Sequence, residues 1–309
     1  MNTLRSFFIL AALLLSAISA NAATCFWIGG TGDFDNANTA SWASTSGGTT
    51  GTCAATGGIP KNAADLATFD ANSGGGTVTV CGASSANCPS AAGSLNITTV
   101  TMGAFTGTLD FAAIDPNITL VSFSGTGTGT RTLNMGDGTW TITGVANNVW
   151  ECSTVTNFTL NANGSTINFA STPTTNRQFN FGAKTYNNIS ITNAAASSFS
   201  IDFASAGAWT VAGTFTLTNV RQVRLAASTT VVVTGALTYN GTASQQGTIY
   251  SSGLAATLSV GATNVLNWVL IQNITKAGAG SISAINSFDG GGNTGITITG
   301  PSSGRIIGG

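Results

Sequence analysis

Asn117-Ile-Thr-Leu-Val-Ser-Phe123 alternates apolar with polar side chains, and short runs of the same kind recur from Leu95 to Thr275. Alternation with a period of two places one set of side chains inside a sheet and the other set in water. The runs are rich in Val, Ile, Thr, Phe and Tyr, which suit a pleated, half-buried surface. Turn formers such as Asn161-Ala-Asn-Gly164 separate them. No comparable helical periodicity is present, so this stretch predicts an all-β protein.

Two β architectures fit such a pattern, a sandwich or barrel and a solenoid. The runs are only about three to six residues long, and few of the turns resemble tight two-residue hairpins. Small residues dominate every run, which permits stacking at a strand spacing of about 4.8 Å. These features favour a solenoid. With coils of about 20 to 25 residues, the ladder would form about eight to ten of them.

The N-terminus has the features of a secretory signal peptide. Met1 to Arg5 gives a basic start, Phe7 to Ala20 is an apolar run too short to span a bilayer stably, and Ala20-Asn-Ala22 is an A-x-A cleavage site. The residues before Cys25 are a poor context for lipid attachment. No later segment is long and apolar enough for a transmembrane span, so we expect a secreted or cell-surface protein cleaved near Ala22.

Composition narrows the class of partner. Charged residues make up 6% of the chain, the net charge is −1 and there is no histidine. Low charge with 42% hydrophobic residues argues against disorder. The nine Lys and Arg residues form no basic patch, which argues against a nucleic-acid partner. A nearly uncharged surface gives little electrostatic repulsion between copies of the chain, so we expect that the protein can form a homo-oligomer.

The chain has five cysteines, and four of them lie before residue 90. Export permits disulfides, and we predict Cys25–Cys53 and Cys81–Cys88, although four cysteines allow three pairings. Cys152 is left over and is expected to be buried. The absence of histidine and of C-x-x-C spacing argues against a metal centre, and no cofactor is expected. Asp33 and Asp35 could contribute oxygens to a Ca²⁺ site, although such residues more often bond their own turn.

Both ends of the mature chain carry distinctive motifs. Near the N-terminus, Phe26-Trp-Ile-Gly-Gly-Thr-Gly32 is followed by Trp42. An element with Asp65 and Phe69-Asp70 then extends from Pro60 to Asp70. Near the C-terminus, a glycine-rich closing segment extends from Asn286 to Gly295. The two tryptophans are large apolar plates that can cover the open end of a solenoid, which otherwise exposes its core and unpaired strand edges.

These motifs resemble those of largely uncharacterised secreted and phage-associated β-repeat proteins with a W-x-G-G-T-G…W opening. The resemblance implies a right-handed parallel β-helix in a tail-fibre, adhesin-like or cell-surface setting. In this chain the element from Pro60 to Asp70 is one residue longer than the usual spacing. The cysteine-containing insert from Thr49 to Gly57 and the export signal also depart from the phage pattern, because virion parts assembled inside the cell need no signal peptide.

The expected organisation has four parts. Residues 1–22 form the signal peptide, 23–93 an N-terminal disulfide-bearing β cap, 94–300 the β-solenoid and 301–309 a flexible tail.

Three tryptophans of the ladder are expected to be buried in the core of the solenoid: Trp140, Trp209 and Trp268.

The candidate binding residues are few. Trp150 lies in an irregular stretch and could offer a ring to a sugar. Arg221 and Arg224 are the only close basic pair of the ladder, and Asp202 is the acid that could lie beside them. A salt-bridged or solvated face is the simpler interpretation of these three.

Three functions compete. The favoured one is an exported structural or adhesive β-solenoid, non-catalytic, that binds a glycan, another cell-surface ligand or copies of itself. The alternatives are a phage tail-fibre-like appendage and a polysaccharide lyase or glycosidase. Glycosidase chemistry needs two facing carboxylates, and the ladder offers only five acidic residues for that role, Asp110, Asp115, Asp137, Glu151 and Asp202.

Overall fold

The computed structural model describes residues 22–35, 41–55, 58–61, 64–80, 94–171, 176–192, 200–204 and 207–301. Three predictions fall on residues outside these ranges. They are the signal peptide except for Ala22, the Cys81–Cys88 disulfide, and the C-terminal tail except for Pro301. Within them, no helix has the length and hydrophobicity needed to cross a bilayer.

The described chain is built of strands, with a short 3₁₀ helix at Ala71–Ser73. In chain order the strands are β1 (Thr24–Trp27), β2 (Gly32–Asp33), β3 (Trp42–Ala43), β4 (Leu66–Thr68), β5 (Thr77–Thr79), β6 (Ser94–Thr101), β7 (Thr108–Asp110), β8 (Asn117–Ser124), β9 (Arg131–Asn134), β10 (Thr139–Ile142), β11 (Trp150–Glu151), β12 (Phe158–Asn161), β13 (Thr166–Phe169), β14 (Arg177–Phe179), β15 (Thr185–Tyr186), β16 (Asn188–Thr192), β17 (Ser200–Phe203), β18 (Trp209–Val211), β19 (Phe215–Thr218), β20 (Gln222–Leu225), β21 (Thr230–Val233), β22 (Leu237–Asn240), β23 (Gly247–Ser251), β24 (Ala256–Val260), β25 (Thr263–Asn267), β26 (Val269–Gln272), β27 (Ile274–Ala277), β28 (Ser281–Ile285), β29 (Phe288–Asp289) and β30 (Thr297–Ile298).

Strands of successive coils pair in parallel and build three faces. The first face is one sheet in the order β3-β1-β4-β6-β8-β10-β13-β16-β19-β22-β25-β28-β30, to which β11 adds beside β8. The second face is the sheet β14-β17-β20-β23-β26-β29, and the third is made of two sheets, β12-β9-β7-β5-β2 and β15-β18-β21-β24-β27. The predictions of an all-β chain and a parallel β-helix are confirmed.

The coils differ in length. From β6 to β25, paired residues on the first face are 22 to 27 positions apart, as for Ile118 with Trp140 and Trp140 with Ile167. The solenoid has about seven turns, fewer than the eight to ten expected. The last coils are shorter, with Thr263 paired to Ser281.

Side chains alternate between core and surface along most strands, as the sequence pattern predicts. In β8, Ile118, Leu120 and Phe123 are fully buried, whereas Val121 is partly exposed. Parallel register stacks the inward residues into columns that run along the solenoid axis. One such column on the first face is Ile118, Trp140, Ile167, Ile189, Phe215 and Leu237.

Corners between faces require a left-handed backbone conformation. Nine non-glycine residues of the described chain have positive φ, and six of them are asparagine: Asn148, Asn157, Asn163, Asn219, Asn273 and Asn286. Asparagine tolerates this conformation better than other side chains because its amide can bond the local backbone. The asparagines between the apolar runs therefore mark the corners of the coils.

The N-terminal end of the first face is covered. β3 pairs with β1 in the antiparallel direction and is the terminal strand of its sheet. Trp42 on β3 is buried, packs edge-on against Trp27 and Phe34, and donates from Nε1 to the Phe34 carbonyl at 2.9 Å. This arrangement seals the apolar core and occupies a strand edge that would otherwise be unpaired.

A disulfide ties this covering segment to the first strand. Cys25 on β1 is bonded to Cys53, as predicted, and Cys152 is a free, buried thiol. β4, within the segment predicted as a cap, pairs in parallel with β6, so the covering strands and the ladder share one sheet.

Candidate functional site

The second face presents two columns of outward side chains, because its strands are in register from coil to coil. The first column contains Gln178, Asp202, Arg224, Tyr250 and Gln272. The second contains Gln222, Thr248, Leu270 and Phe288. Neighbouring members of a column are about 4.8 Å apart along the axis, the usual strand spacing.

The structure brings together two of the four residues predicted for binding. Asp202 and Arg224 lie directly opposite each other on β17 and β20. Arg224 donates from Nε and Nη2 to the two carboxylate oxygens of Asp202, at 3.0 and 2.6 Å. Because each charge offsets the other, this pair adds little net charge to the face.

Arg221 lies beside the pair but takes part in a different feature. It precedes β20 and, with Gln222 and Thr248, lines an open groove of about 940 Å³. The remaining lining comes from the segment 243–246, Ala-Ser-Gln-Gln. Three side-chain amides, two hydroxyls and one guanidinium therefore surround this space, which we call the second-face groove.

The loop that walls the groove is ordered by its own hydrogen bonds. Thr242 and Gln245 form an antiparallel bridge, and the Gln245 backbone amide also donates to the Thr242 hydroxyl at 3.0 Å. Gly241 begins the loop, and any Cβ there would lie 2.5 Å from the Trp268 carbonyl oxygen of the next coil. The glycine thus lets the loop leave the solenoid while the two coils stay in contact.

No family model, curated protein or solved structure matches this chain. The groove and the two columns are therefore the features of the molecule that bear on its function. The resemblance carried by the segment from Phe26 to Gly32 stays a prediction.

Trp150 is not available to a ligand. Its side chain is fully buried, and its Nε1 donates to the Tyr186 hydroxyl at 3.2 Å. We therefore remove it from the candidate binding residues. The prediction of burial is confirmed for Trp140 and Trp209 and is wrong for Trp268, which is partly exposed.

The thiol of Cys152 lies in the same interior. Burial raises its pKa to about 12, and hydrogen bonds to Tyr186 and to the Gly125 backbone only partly offset that effect. Burial likewise raises the pKa of the Tyr186 hydroxyl. The thiol is therefore protonated and unreactive near neutral pH, as expected for a structural cysteine.

Two cations flank one aromatic ring on the third face. Arg131 and Lys184 lie over the ring of Phe158, at 5.0 and 5.4 Å from its centroid. Arg131 also donates to the carbonyls of Gly125 and Gly129, which closes a corner of its coil. Desolvation lowers the pKa of both cations, and their contacts assign them to packing rather than to a ligand.

Arg177 points into the core at the start of β14. It is fully buried and donates from Nη2 to the Ser171 carbonyl at 2.8 Å. Its Nε and Nη1 atoms have no partner among the described residues, and desolvation lowers its pKa to about 10.

A second groove, of about 490 Å³, lies on the third face where β12 ends one sheet and β15 begins the other. Four asparagines contribute to its lining, Asn134, Asn161, Asn163 and Asn187. Asn161 donates to the side-chain oxygen of Asn134 at 2.7 Å. This third-face groove was not predicted, because nothing in the strand pattern indicates where a ladder of strands is interrupted.

The acidic side chains of the ladder serve local structure. Asp110 accepts from the Ala112 amide, Asp137 from Gly164, and Glu151 from Ser153. Asp115 accepts from the Asp137 amide of the next coil. No group of three His, Cys, Asp or Glu residues suited to a metal ion occurs among the described residues.

Residues of the second-face groove other than Arg221 were missed from the sequence. The available signal was the run Ser244-Gln-Gln246, which follows Asn240-Gly241 and lengthens one corner of its coil. Extra polar residues at a corner indicate a protruding loop. Their pairing with Gln222 and Thr248 depends on the register between coils.

Proposed function

We propose that the protein is an exported, adhesive β-solenoid that binds uncharged glycans in the second-face groove. The observation that carries this proposal is the lining of the groove, where amides of Gln222, Gln245 and Gln246 and hydroxyls of Ser244 and Thr248 surround a space of about 940 Å³. Such groups match the hydroxyls of a sugar, since each amide can both donate and accept a hydrogen bond.

The charge distribution supports an uncharged ligand. Arg221 is the only charged residue of the groove lining, and the neighbouring Arg224 is neutralised by Asp202. An acidic polysaccharide would find only one unpaired cation here, whereas the hydroxyls of a neutral one can accept hydrogen bonds from the Arg221 guanidinium.

A binding role is also simpler than a catalytic one. No carboxylate lines either of the two grooves described above, and cleavage of a glycosidic bond by the usual route requires two of them. The polysaccharide-degrading and phage-appendage alternatives and the expectation of self-assembly stay predictions.

Export is part of the proposal for two reasons. The first 22 residues have the organisation of a signal peptide, and the Cys25–Cys53 disulfide suits an oxidising compartment. Secretion is tested by expressing the full chain and sequencing the N-terminus of the exported protein, which we expect to be Ala23.

The test of binding is a glycan array probed with the exported protein. We expect binding to neutral glycans that changes little with salt, because no ion pair has to form. Replacing Gln245 and Gln246 together by alanine should weaken that binding roughly ten-fold, the equivalent of one or two lost hydrogen bonds.

The matched control replaces Asn161 and Asn187 by alanine in the third-face groove and should leave binding unchanged. Absence of binding to every glycan would overturn the proposal, as would binding restricted to acidic glycans and abolished by salt. Light scattering on the same samples reports whether the protein is a monomer or an assembly.

A further inference from the structure

Trp268 occupies a corner position that other coils give to asparagine. It lies between β25 and β26, where the chain passes from the first face to the second, and its φ is 54°. The same corner holds Asn219 two coils earlier and Asn286 in the next coil, with φ of 54° and 50°. A bulky aromatic residue in this conformation is an outlier, since its side chain cannot form the local backbone hydrogen bonds that are available to asparagine.

Trp268 is also the exception among the tryptophans. The chain has six, all in the described ranges, and the other five are fully buried or nearly so. The Trp268 side chain is partly exposed. The strained backbone and the exposed part of this apolar residue both raise the free energy of the folded protein relative to asparagine at the same corner.

The corner adjoins the second-face groove. The Gly247 amide donates to the Trp268 carbonyl at 2.9 Å, and the next residue, Thr248, lines the groove. The backbone of Trp268 is thus fixed one coil beyond the loop 241–246 that forms the groove wall.

The outward column of the second face extends from the groove past this corner. Gln222 and Thr248 line the groove, and the same column continues to Leu270 and to Phe288, which is 39% exposed. The column therefore changes from hydrogen-bonding to apolar side chains towards the C-terminal end. A sugar chain has matching chemistry, because its rings present hydroxyls at their rims and C–H groups on their faces.

We infer that Trp268 is a stacking platform for a linear, uncharged polysaccharide that lies along the second face from the groove to Phe288. This inference rests on the proposed function and specifies its ligand as a chain rather than a single sugar or a branched terminus. The groove holds the first two units by hydrogen bonds, and the rings that follow pack on Trp268 and on the apolar part of the column.

The experiment measures binding of linear neutral oligosaccharides, from disaccharide to hexasaccharide, drawn from β-linked glucan, mannan and xylan. Affinity should rise with chain length until the oligomer reaches Phe288. Acrylamide quenching of tryptophan fluorescence reports mainly on Trp268, because the other five indoles are buried. We expect the longer oligomers to protect it from quenching.

The deciding variant is Trp268→Asn, which restores the residue found at the other two corners and so keeps the fold. It should abolish the protection from quenching and weaken binding of the hexasaccharide roughly ten-fold, while binding of the disaccharide in the groove is unchanged. The control is Val265→Ala, another exposed apolar residue of the same coil on the first face, which should bind like the wild-type protein.

The outcomes separate the two proposals. Oligomers that bind with no gain in affinity beyond the disaccharide, or equally well to Trp268→Asn, overturn the inference and leave the groove as a glycan site. No binding of any of these oligomers overturns the inference as well, and the array then decides alone whether the groove binds another glycan.

Discussion

Arg224 and Asp202 form a two-point ion pair between adjacent coils, with both carboxylate oxygens accepting from the guanidinium. The two residues are 22 positions apart in sequence and directly opposite each other in register. The contact therefore exists only when the coils that contain strands β17 and β20 are aligned. The pair therefore joins two coils and neutralises one side of the proposed binding face.

We predict a small stabilising effect of this pair. The side chains are 41% and 15% exposed, so solvent screens their attraction. Asp202→Asn and Arg224→Gln, combined in a double-mutant cycle, should give a coupling free energy of about 0.5 to 1 kcal/mol. Denaturant unfolding at low and high salt measures it, and the coupling should fall as salt rises. A salt-independent coupling of several kcal/mol would contradict this prediction.

Loss of the Cys25–Cys53 disulfide should destabilise the N-terminal coils. The bridged residues are 28 positions apart. Closing a loop of this length lowers the conformational entropy of the unfolded chain and so stabilises the folded protein by about 3 kcal/mol. In Cys25→Ser/Cys53→Ser, amide hydrogen exchange should accelerate in β1 and β3. Because each coil contacts only its neighbours, exchange in β25 and β28 serves as the internal control and should not change. Uniform acceleration along the whole solenoid would argue against this local effect.

Stacking between coils depends on the absence of a side chain at Gly235. A Cβ at this position would lie 2.2 Å from the Gly213 carbonyl oxygen in the preceding coil. Gly235→Ala should therefore lower the free energy of unfolding by about 3 kcal/mol, the upper range for overpacking a tightly packed site. The matched control is Gly300→Ala, where a Cβ meets nothing within 4 Å and the change should stay within about 0.5 kcal/mol. Equal stability of the two variants would show that the coils can separate without cost.

The buried thiol of Cys152 should make the fold sensitive to alkali. Its pKa is 9.0 when unperturbed and about 12 in the folded protein. Between these values the unfolded chain loses the thiol proton while the folded chain keeps it, so stability falls as pH rises from 9 towards 12. The slope for one such group is up to about 1.4 kcal/mol per pH unit. Tyr186 and Tyr239, whose pKa values burial also raises, act in the same direction.

Cys152→Ala isolates the contribution of the thiol. Between pH 7 and pH 10.5 the variant should lose about 2 kcal/mol less unfolding free energy than the wild-type protein, because its unfolded state has no thiol to ionise. The cavity left by the substitution costs the same at every pH and cancels in this comparison. Arg177, whose pKa burial lowers to about 10, opposes the trend equally in both proteins. Identical pH profiles would refute the assignment.

The fold class could be predicted from local sequence because each strand is short and its alternation is complete within a few residues. Ile118 and Leu120 show this, since period-two spacing placed both in the core, whereas Phe123 is out of that period because the alternation is interrupted at Val121. The burial of Trp140 and Trp209, within such runs, was predictable on the same grounds. Cys25 and Cys53 were predictable partners because export and their position before the ladder leave few alternatives.

The candidate site could be predicted only in part. Asp202 and Arg224 were singled out as rare charges in an uncharged ladder, and the structure pairs them. Trp150 and Trp268 were both misjudged, the first as a binding candidate and the second as core. Neither lies in a run whose alternation fixes the direction of its side chain.

The sequence by itself determined that the chain forms short strands, where the corners fall, and which side chains of each strand face inward. These properties depend on contacts between residues a few positions apart. Only the tertiary structure decided that Arg221, Gln222 and the segment 243–246 enclose one groove, and that Trp268 lies beside it. Those residues meet across coils of unequal length, and the register between coils is set by how the whole stack packs.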